Sequence, residues 1–157
     1  MIKLNSTVKD SATGMAGIVT TLHIEMDGSE VYFFQPTALN KKTRLPVDGV
    51  WAMPQRLSGG EIIARPTLPL EVLNTQVEDI TGFKGTAVSL VLHATGCVHF
   101  NIQPAGRDEN GNAIAAQNFS ILRLKGPAIK ALTPEKVEAE KKTKPSPGHY
   151  SHPTKLA

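Results

Sequence analysis

The sequence has few aromatic residues and only one cysteine. Aromatic side chains make up 5% of its 157 residues: one Trp, two Tyr and five Phe. Because Cys97 is the single cysteine, an internal disulfide is excluded and the fold depends on packing alone. Since aromatic side chains bury large areas, each of these few positions is informative about the core.

Long hydrophobic runs are also missing. A membrane-spanning helix needs about 20 consecutive apolar residues, and the sequence contains no such run. The first residues, Met1-Ile2-Lys3-Leu4-Asn5, lack the apolar centre of a secretory signal peptide. We therefore expect neither a membrane partner nor secretion.

An excess of one charge is absent from most of the chain. Residues 1–126 contain 11 Lys or Arg and 11 Asp or Glu, whereas residues 127–157 contain six Lys and three Glu. The net charge of +3 therefore lies entirely in the C-terminal segment. Because nucleic-acid-binding domains normally carry excess positive charge, nucleic acid is the weaker expectation as a partner.

Two segments of the chain share one pattern, at an offset of 68 residues. Val8–Gly17 and Val77–Gly85 each read V-x-D, one or two residues, then T-G-x-x-G. Further pairs keep the same register: Gly28 with Gly96, Tyr32 with Phe100, Gln35-Pro36 with Gln103-Pro104, and Trp51 with Phe119. A one-residue deletion then aligns Leu57 with Leu124. A register held over nearly 40 residues indicates an internal duplication.

The repeated positions are of the types that turns, close backbone contacts and cores require. Glycine adopts positive φ at no steric cost, and it permits another backbone to come near a strand. We predict turns at Gly14, Gly82, Gly28 and Gly96, close contacts at Gly17 and Gly85, and core positions for Trp51, Phe119, Tyr32 and Phe100.

Each repeat contains about five short β-branched or alternating segments bounded by Gly, Pro and Asp, which is typical of a small, partly open barrel. We therefore predict an all-β protein. Copy one covers residues 1–57, a packed linker containing Gly and Pro covers 58–71, copy two covers 72–126, and a basic tail covers 127–157. Within the tail, Thr133-Pro134-Glu135 is a good start for a short helix.

No motif for catalysis or metal binding emerges from the sequence. T-G-x-x-G is not a phosphate loop, because neither copy follows it with Lys-Ser/Thr or a helix. His149-x-x-His152 has no accompanying Cys or acidic cluster. Asp108 begins a hairpin turn and not a calcium loop, since Phe119 occupies the place of the bidentate acid. We expect no enzyme, no metal and no cofactor.

The best basic cluster, Lys41-Lys42-x-Arg44, keeps a nucleic-acid role open. Trp51 and Tyr32 could supply base stacking beside it. Their alignment with Phe119 and Phe100 favours core positions instead.

The pattern V-x-D-x-x-T-G-x-x-G followed by a Q-P strand resembles the small SH3-like (KOW-like) modules of short proteins from tailed bacteriophages. The resemblance covers roughly residues 5–57 and 72–124, with Met15 where Phe is common and Glu78 where Lys is common. It implies two tandem SH3-like barrels in a virion or accessory protein, made in the host cytoplasm and located in the virion.

Within that family, we expect a structural protein, first of all a capsid decoration or cement protein that docks by its barrels and its tail onto other virion proteins in a symmetric assembly. A head–tail connector, tail or baseplate accessory protein is the first alternative, and a nucleic-acid-binding module is the second. Seven tail residues are the predicted partner contacts: Lys136, Lys141, Lys142, Lys144, Pro145, Tyr150 and Lys155.

Overall fold

The computed structural model describes residues 1–132. It confirms the all-β class, since ten strands are accompanied only by 3-10 turns and one short helix, α1 (Pro127–Lys130). The strands are β1 (Thr7–Asp10), β2 (Ala16–Glu25), β3 (Glu30–Pro36), β4 (Val50–Ala52), β5 (Leu57–Ser58), β6 (Gln76–Asp79), β7 (Lys84–His93), β8 (Val98–Gln103), β9 (Gln117–Ser120) and β10 (Leu124–Lys125). The helix predicted from Thr133 and the seven tail contacts lie outside the described residues.

All ten strands belong to one open antiparallel sheet, in which two sets of five strands pair in the same order. In the first unit, β1–β5, strand β1 pairs with β2 and β5, β2 with β3, and β3 with β4. In the second unit, β6–β10, strand β6 pairs with β7 and β10, β7 with β8, and β8 with β9. In each unit a 3-10 turn, Pro54–Arg56 or Ile121–Arg123, precedes the last strand.

The long strand of each unit is interrupted by a bulge at the same place. The register shifts between Val19 and Thr21 in β2, and between Ala87 and Ser89 in β7. A bulge bends its strand and increases the local twist. Each long strand therefore pairs with the short first strand of its unit along its first residues. Along its last residues it pairs with the long strand of the other unit.

In each unit one glycine, which we call the crossing glycine, allows the start of the long strand to lie close to the end of the strand that follows it. It is Gly17 in the first unit and Gly85 in the second. A Cβ atom at Gly17 or Gly85 would lie closer than 3.0 Å to the backbone oxygen of Gln35 or Gln103. This agrees with the close contact predicted for both positions. The turn glycines also adopt the expected conformation, with φ of 70° at Gly14, 91° at Gly82, 82° at Gly28 and 85° at Gly96.

The core lies on the inward face of the sheet and includes two of the four predicted aromatic residues. Tyr32 and Phe100 are completely buried. Phe119 is partly buried and packs beside Phe83, with ring centroids 5.3 Å apart. Burial of such large apolar side chains is the main source of stability in a small β domain.

The core position predicted for Trp51 is wrong, and so is its alignment with Phe119. Trp51 lies opposite Phe33 in β3 and is 47% exposed, whereas the next residue, Ala52, points inward and is buried. In the second unit the residue opposite Asn101 is Asn118. Trp51 therefore corresponds to Asn118, and Ala52 to Phe119.

The error has a simple origin in the loop before β4. The bridges Leu39–Pro46 and Arg107–Ala113 enclose loops that differ by one residue. The deletion therefore precedes β4 and does not follow Trp51. Because side chains alternate along a strand, a shift of one residue moves a side chain from the core to the surface.

The linker predicted to be packed is packed only near its end, since most of residues 58–67 are exposed, including Ile62 at 71%. Leu68 and Pro69 are buried, and Ile62 forms a bridge to Ile2 near the start of the chain. The amide of Ile63 donates to the carbonyl oxygen of Met1 at 3.0 Å. The linker therefore fastens the N-terminal residues to the body of the protein.

Candidate functional site

The two units are joined directly by their long strands, β2 and β7. Five residue pairs form this junction, from Thr21 opposite His93 to Glu25 opposite Ser89. The central pair places His23 opposite Val91, and these residues are themselves 68 positions apart. In an antiparallel pair of strands, two equivalent residues can face each other only where a two-fold axis passes between them. The two units are therefore related by an approximate two-fold rotation.

The junction creates a continuous six-stranded surface in the order β4-β3-β2-β7-β8-β9. Leu22 and Leu90 point to the core, so their strand neighbours point outward. We call this surface, which faces away from the core, the seam face; Thr21, Ser89 and Val91 at its centre are themselves buried. Its residues are Trp51, Val31, Phe33, Thr21, His23, Glu25, Ser89, Val91, His93, His99, Asn101, Asn118 and Ser120.

His23 links the two units through hydrogen bonds across the junction. Its Nε2 atom lies 2.8 Å from Asn101 Nδ2 and 3.1 Å from Ser89 Oγ, and Asn101 Nδ2 also donates to Ser89 Oγ at 2.9 Å. Because an amide nitrogen only donates, His23 Nε2 must be the unprotonated acceptor. Burial lowers the pKa of His23, and the nearby Glu25 carboxylate only partly opposes this shift.

The network continues toward the edge of the second unit. Asn118 Nδ2 donates to Asn101 Oδ1 at 2.8 Å, and His99 Nδ1 lies 2.6 Å from Asn118 Oδ1. Since a carbonyl oxygen only accepts, His99 Nδ1 carries the proton. His93 stands beside His99 with ring centroids 5.0 Å apart. Burial first, and then its histidine neighbours, lower the pKa of His93.

Trp51 occupies the opposite side of the seam face. Its ring stacks on His23, with centroids 5.1 Å apart and planes inclined by 27°, and it meets the edge of Phe33 at 5.2 Å. Within residues 1–132 no hydrogen-bond acceptor meets the indole N–H. Trp51 therefore has a supported inner side, an exposed outer side and a free donor.

The Ser89–His23–Glu25 arrangement superficially resembles a hydrolase triad, but its geometry does not suit nucleophilic attack. Ser89 is only 2% exposed and its oxygen already accepts from Asn101. His23 Nδ1 and Glu25 Oε1 are 3.8 Å apart, beyond hydrogen-bond reach. A nucleophile must be accessible to its substrate, so these residues serve to position one another.

Each unit contains at its base one buried carboxylate that sequence reasoning missed, Asp10 in the first and Asp79 in the second. Asp10 accepts both hydrogen bonds of a bidentate pair from Arg56, at 3.1 and 2.8 Å, and Asp79 does so from Arg123, both at 2.8 Å. Thr13 and Thr81 donate to the same carboxylates. The signal that could have found them is an arginine near the end of both copies.

The partners of these carboxylates keep them ionised. The Arg56 guanidinium, against the opposing effect of burial, lowers the pKa of Asp10 well below its usual range. Burial alone would raise the pKa of Asp79, but Arg123 and Thr81 outweigh it and lower that pKa to about 2. A buried ion pair stabilises a fold only when its charged groups are fully hydrogen-bonded. Both carboxylates meet this condition with residues of their own unit, so we assign the pairs a structural role.

The predicted basic cluster lies in the loop between β3 and β4. Lys41, Lys42 and Arg44 are exposed there, and Asn40 caps the turn by accepting from the amides of Lys42 and Thr43. The six strands of the seam face contain no Lys or Arg except Lys84, which begins β7 away from the junction. The cations are therefore on the loop and not on the seam face.

Among residues 1–132 no group of three or more His, Cys, Asp or Glu side chains is arranged to hold a metal ion. No helix in the same part of the chain is both long and apolar enough to cross a membrane. Comparisons with protein-family models, curated proteins and solved structures give no match.

Proposed function

We propose that this is a non-enzymatic structural protein of a tailed-bacteriophage virion, built from two SH3-like barrels that arose by internal duplication. Support for the duplication comes from features that have no reason to recur by chance. Four features recur in the second unit at offsets of 67 to 69 residues: the strand order, the bulge, the crossing glycine and the buried Asp–Arg pair.

The observation that carries the structural role is the junction of β2 with β7. Five consecutive residue pairs make one continuous sheet from two units, and backbone pairing of this kind resists relative movement. The outward surfaces of the units differ, with Trp51 at one end and Asn118 at the other. A rigid body with two unlike surfaces is suited to bridging two neighbouring subunits.

Capsid decoration is the role we propose first. The barrels would contact adjacent capsid subunits, and the basic residues of the tail would contact an acidic surface beside them. A head–tail connector, tail or baseplate position follows from the same body with a different neighbour.

Mass spectrometry of purified particles of the phage that encodes the chain tests this role. We expect the protein in intact virions at a copy number that matches a symmetry of the particle. Its absence from intact virions would overturn the proposal. A chain ending at residue 132 should lose attachment, whereas a full-length control with Lys41 and Lys42 changed to Gln should retain it.

A further inference from the structure

We propose that the seam face binds a neutral carbohydrate chain, with Trp51 as the stacking surface and the Asn118–His99 pair as hydrogen-bonding groups. This goes beyond the structural role and does not depend on it. Sugar rings present an apolar C–H face together with hydroxyl groups that both donate and accept. An exposed indole beside amide and imidazole groups offers the matching chemistry.

The stacking surface is held in place before any ligand arrives. His23 supports the inner side of Trp51, and His23 is itself fixed by Asn101 and Ser89. Phe33 meets the indole edge-on. Because these contacts immobilise the ring, a ligand would stack on it without a large cost for ordering side chains.

The charge of the seam face favours a neutral ligand over a nucleic acid. Lys and Arg are absent from its outward positions, and Glu25 is its one acidic residue. The lowered pKa values of His23 and His93 keep both rings neutral at pH 7. Nucleic-acid affinity depends mainly on cations that neutralise phosphates, so aromatic stacking alone would not secure a nucleic-acid strand here.

The dimensions of the seam face favour an extended chain over a single sugar. Trp51 and Asn118 lie on the two outermost of six strands, which are spaced about 4.8 Å apart. Side chains bridge this span, because the Trp51 ring lies 5.1 Å from the His23 ring and bonds of 2.8 Å join His23 to Asn101 and Asn101 to Asn118. The two ends are therefore closer than the roughly 24 Å of a flat sheet. A ligand that contacts both ends must still pass over His23 and Asn101, so an oligosaccharide should bind more tightly than a single sugar.

Trp51 is an intrinsic fluorescence probe of its own site, because it is the only tryptophan in the chain. We suggest titrating the full-length protein at pH 7.5 with maltohexaose, cellohexaose and hexa-N-acetylchitohexaose, and following indole emission and its quenching by acrylamide. We expect at least one hexasaccharide to give a saturable change and to protect the indole from acrylamide. The corresponding disaccharide should bind more weakly.

Variants locate the site and separate binding from folding. By calorimetry, Trp51→Ala should lower affinity for the binding hexasaccharide by about tenfold or more, and Trp51→Tyr should retain part of it. Asn118→Ala should weaken binding less. Leu122→Ala, which truncates an apolar residue 42% exposed on a 3-10 turn of the second unit, should leave binding unchanged. Circular dichroism confirms that each variant is folded.

Three outcomes would overturn the proposal. The first is no change with any of the three hexasaccharides at about 10 mM. The second is undiminished binding by a folded Trp51→Ala variant. The third is saturable, salt-sensitive binding of oligothymidylate that depends on Trp51 and occurs without any sugar binding, which would assign the face to nucleic acid.

Discussion

The two units share what the fold requires and differ in what solvent can reach. The crossing glycine, the bulge and the buried Asp–Arg pair occur in both. On the seam face, by contrast, Phe33 and Trp51 of the first unit correspond to Asn101 and Asn118 of the second. The same packing constraints therefore act in the interior of both units, while their surfaces present different contacts.

The interior also contains one informative difference. Tyr32 and Phe100 are equivalent and both fully buried, but only Tyr32 has a hydroxyl group. Its oxygen accepts from the amide of Ile2 at 3.0 Å and donates to Glu30 at 2.9 Å, and Glu30 pairs with Arg65 in the linker. The first unit thus uses a core residue to hold the N-terminus and the linker.

The largest expected effect tests whether the two ion pairs are equivalent. Asp10→Ala and Asp79→Ala should each lower the free energy of unfolding more than any variant below, because each removes a fully buried carboxylate that accepts from an arginine, a threonine hydroxyl and a turn amide. Urea unfolding should show similar losses for the two variants. Asp48→Ala, which removes an exposed carboxylate of the β3–β4 loop, is the control and should change little. A loss confined to one unit would contradict the equivalence.

Acid should reveal the same pairs in the unmodified protein. The folded pKa of each aspartate lies below its unfolded value of 3.8, so the stabilisation is complete above that value. It should be lost as the pH falls from about 4 toward the pKa of about 2 for Asp79. Asp79→Asn should reduce the steepness of this loss.

The next effect concerns the crossing glycines. Gly17→Ala and Gly85→Ala should each cost about 3 kcal/mol, because the added Cβ would overlap a backbone oxygen that cannot turn aside. Thermal and urea unfolding would measure both. Thr86→Ala in the neighbouring position of β7 is a matched control. Tolerance of alanine at Gly85 but not at Gly17 would show that the crossing differs between the units.

A smaller effect should be limited to the first unit. Tyr32→Phe leaves the buried amide of Ile2 without its acceptor, and we expect a loss of about 1–2 kcal/mol. Hydrogen exchange should show faster exchange at Ile2 and Ile63 and no change in the second unit. Phe100→Leu, a conservative core change, should not affect exchange at Ile2. Unchanged exchange at Ile2 in Tyr32→Phe would disprove the fastening role.

The smallest effect is a pH dependence at the junction. The folded pKa of His23 lies below its usual value of 6.5, so the unfolded chain binds the proton more readily. Stability should therefore be complete above about pH 6.5 and decrease as the pH falls below it. His23→Gln should flatten this dependence, with His93 leaving a remainder. A stability that rises on acidification between pH 7 and 5.5 would contradict the assignment.

The repeat in the sequence was sufficient to predict the class, the turn glycines and the buried Tyr32 and Phe100, because these positions obey local rules for turns and alternation. Trp51 was misplaced because sequence alignment cannot locate a deletion within a loop. The seam face was beyond prediction, since β2 and β7 are equally apolar and nothing local in them specifies a partner strand. The Asp–Arg pairs depend on contacts 44 to 46 residues apart.

The pairing of β2 with β7 also affects how the chain is synthesised. During translation the first unit emerges before residues 89–93, so the edge of β2 remains unoccupied while the linker is being made. An open edge strand readily recruits another strand, and the approximate two-fold relation means that a second nascent copy presents a fitting one. The edge of β2 is therefore a site at which two nascent copies could pair until residues 89–93 of the same chain occupy it.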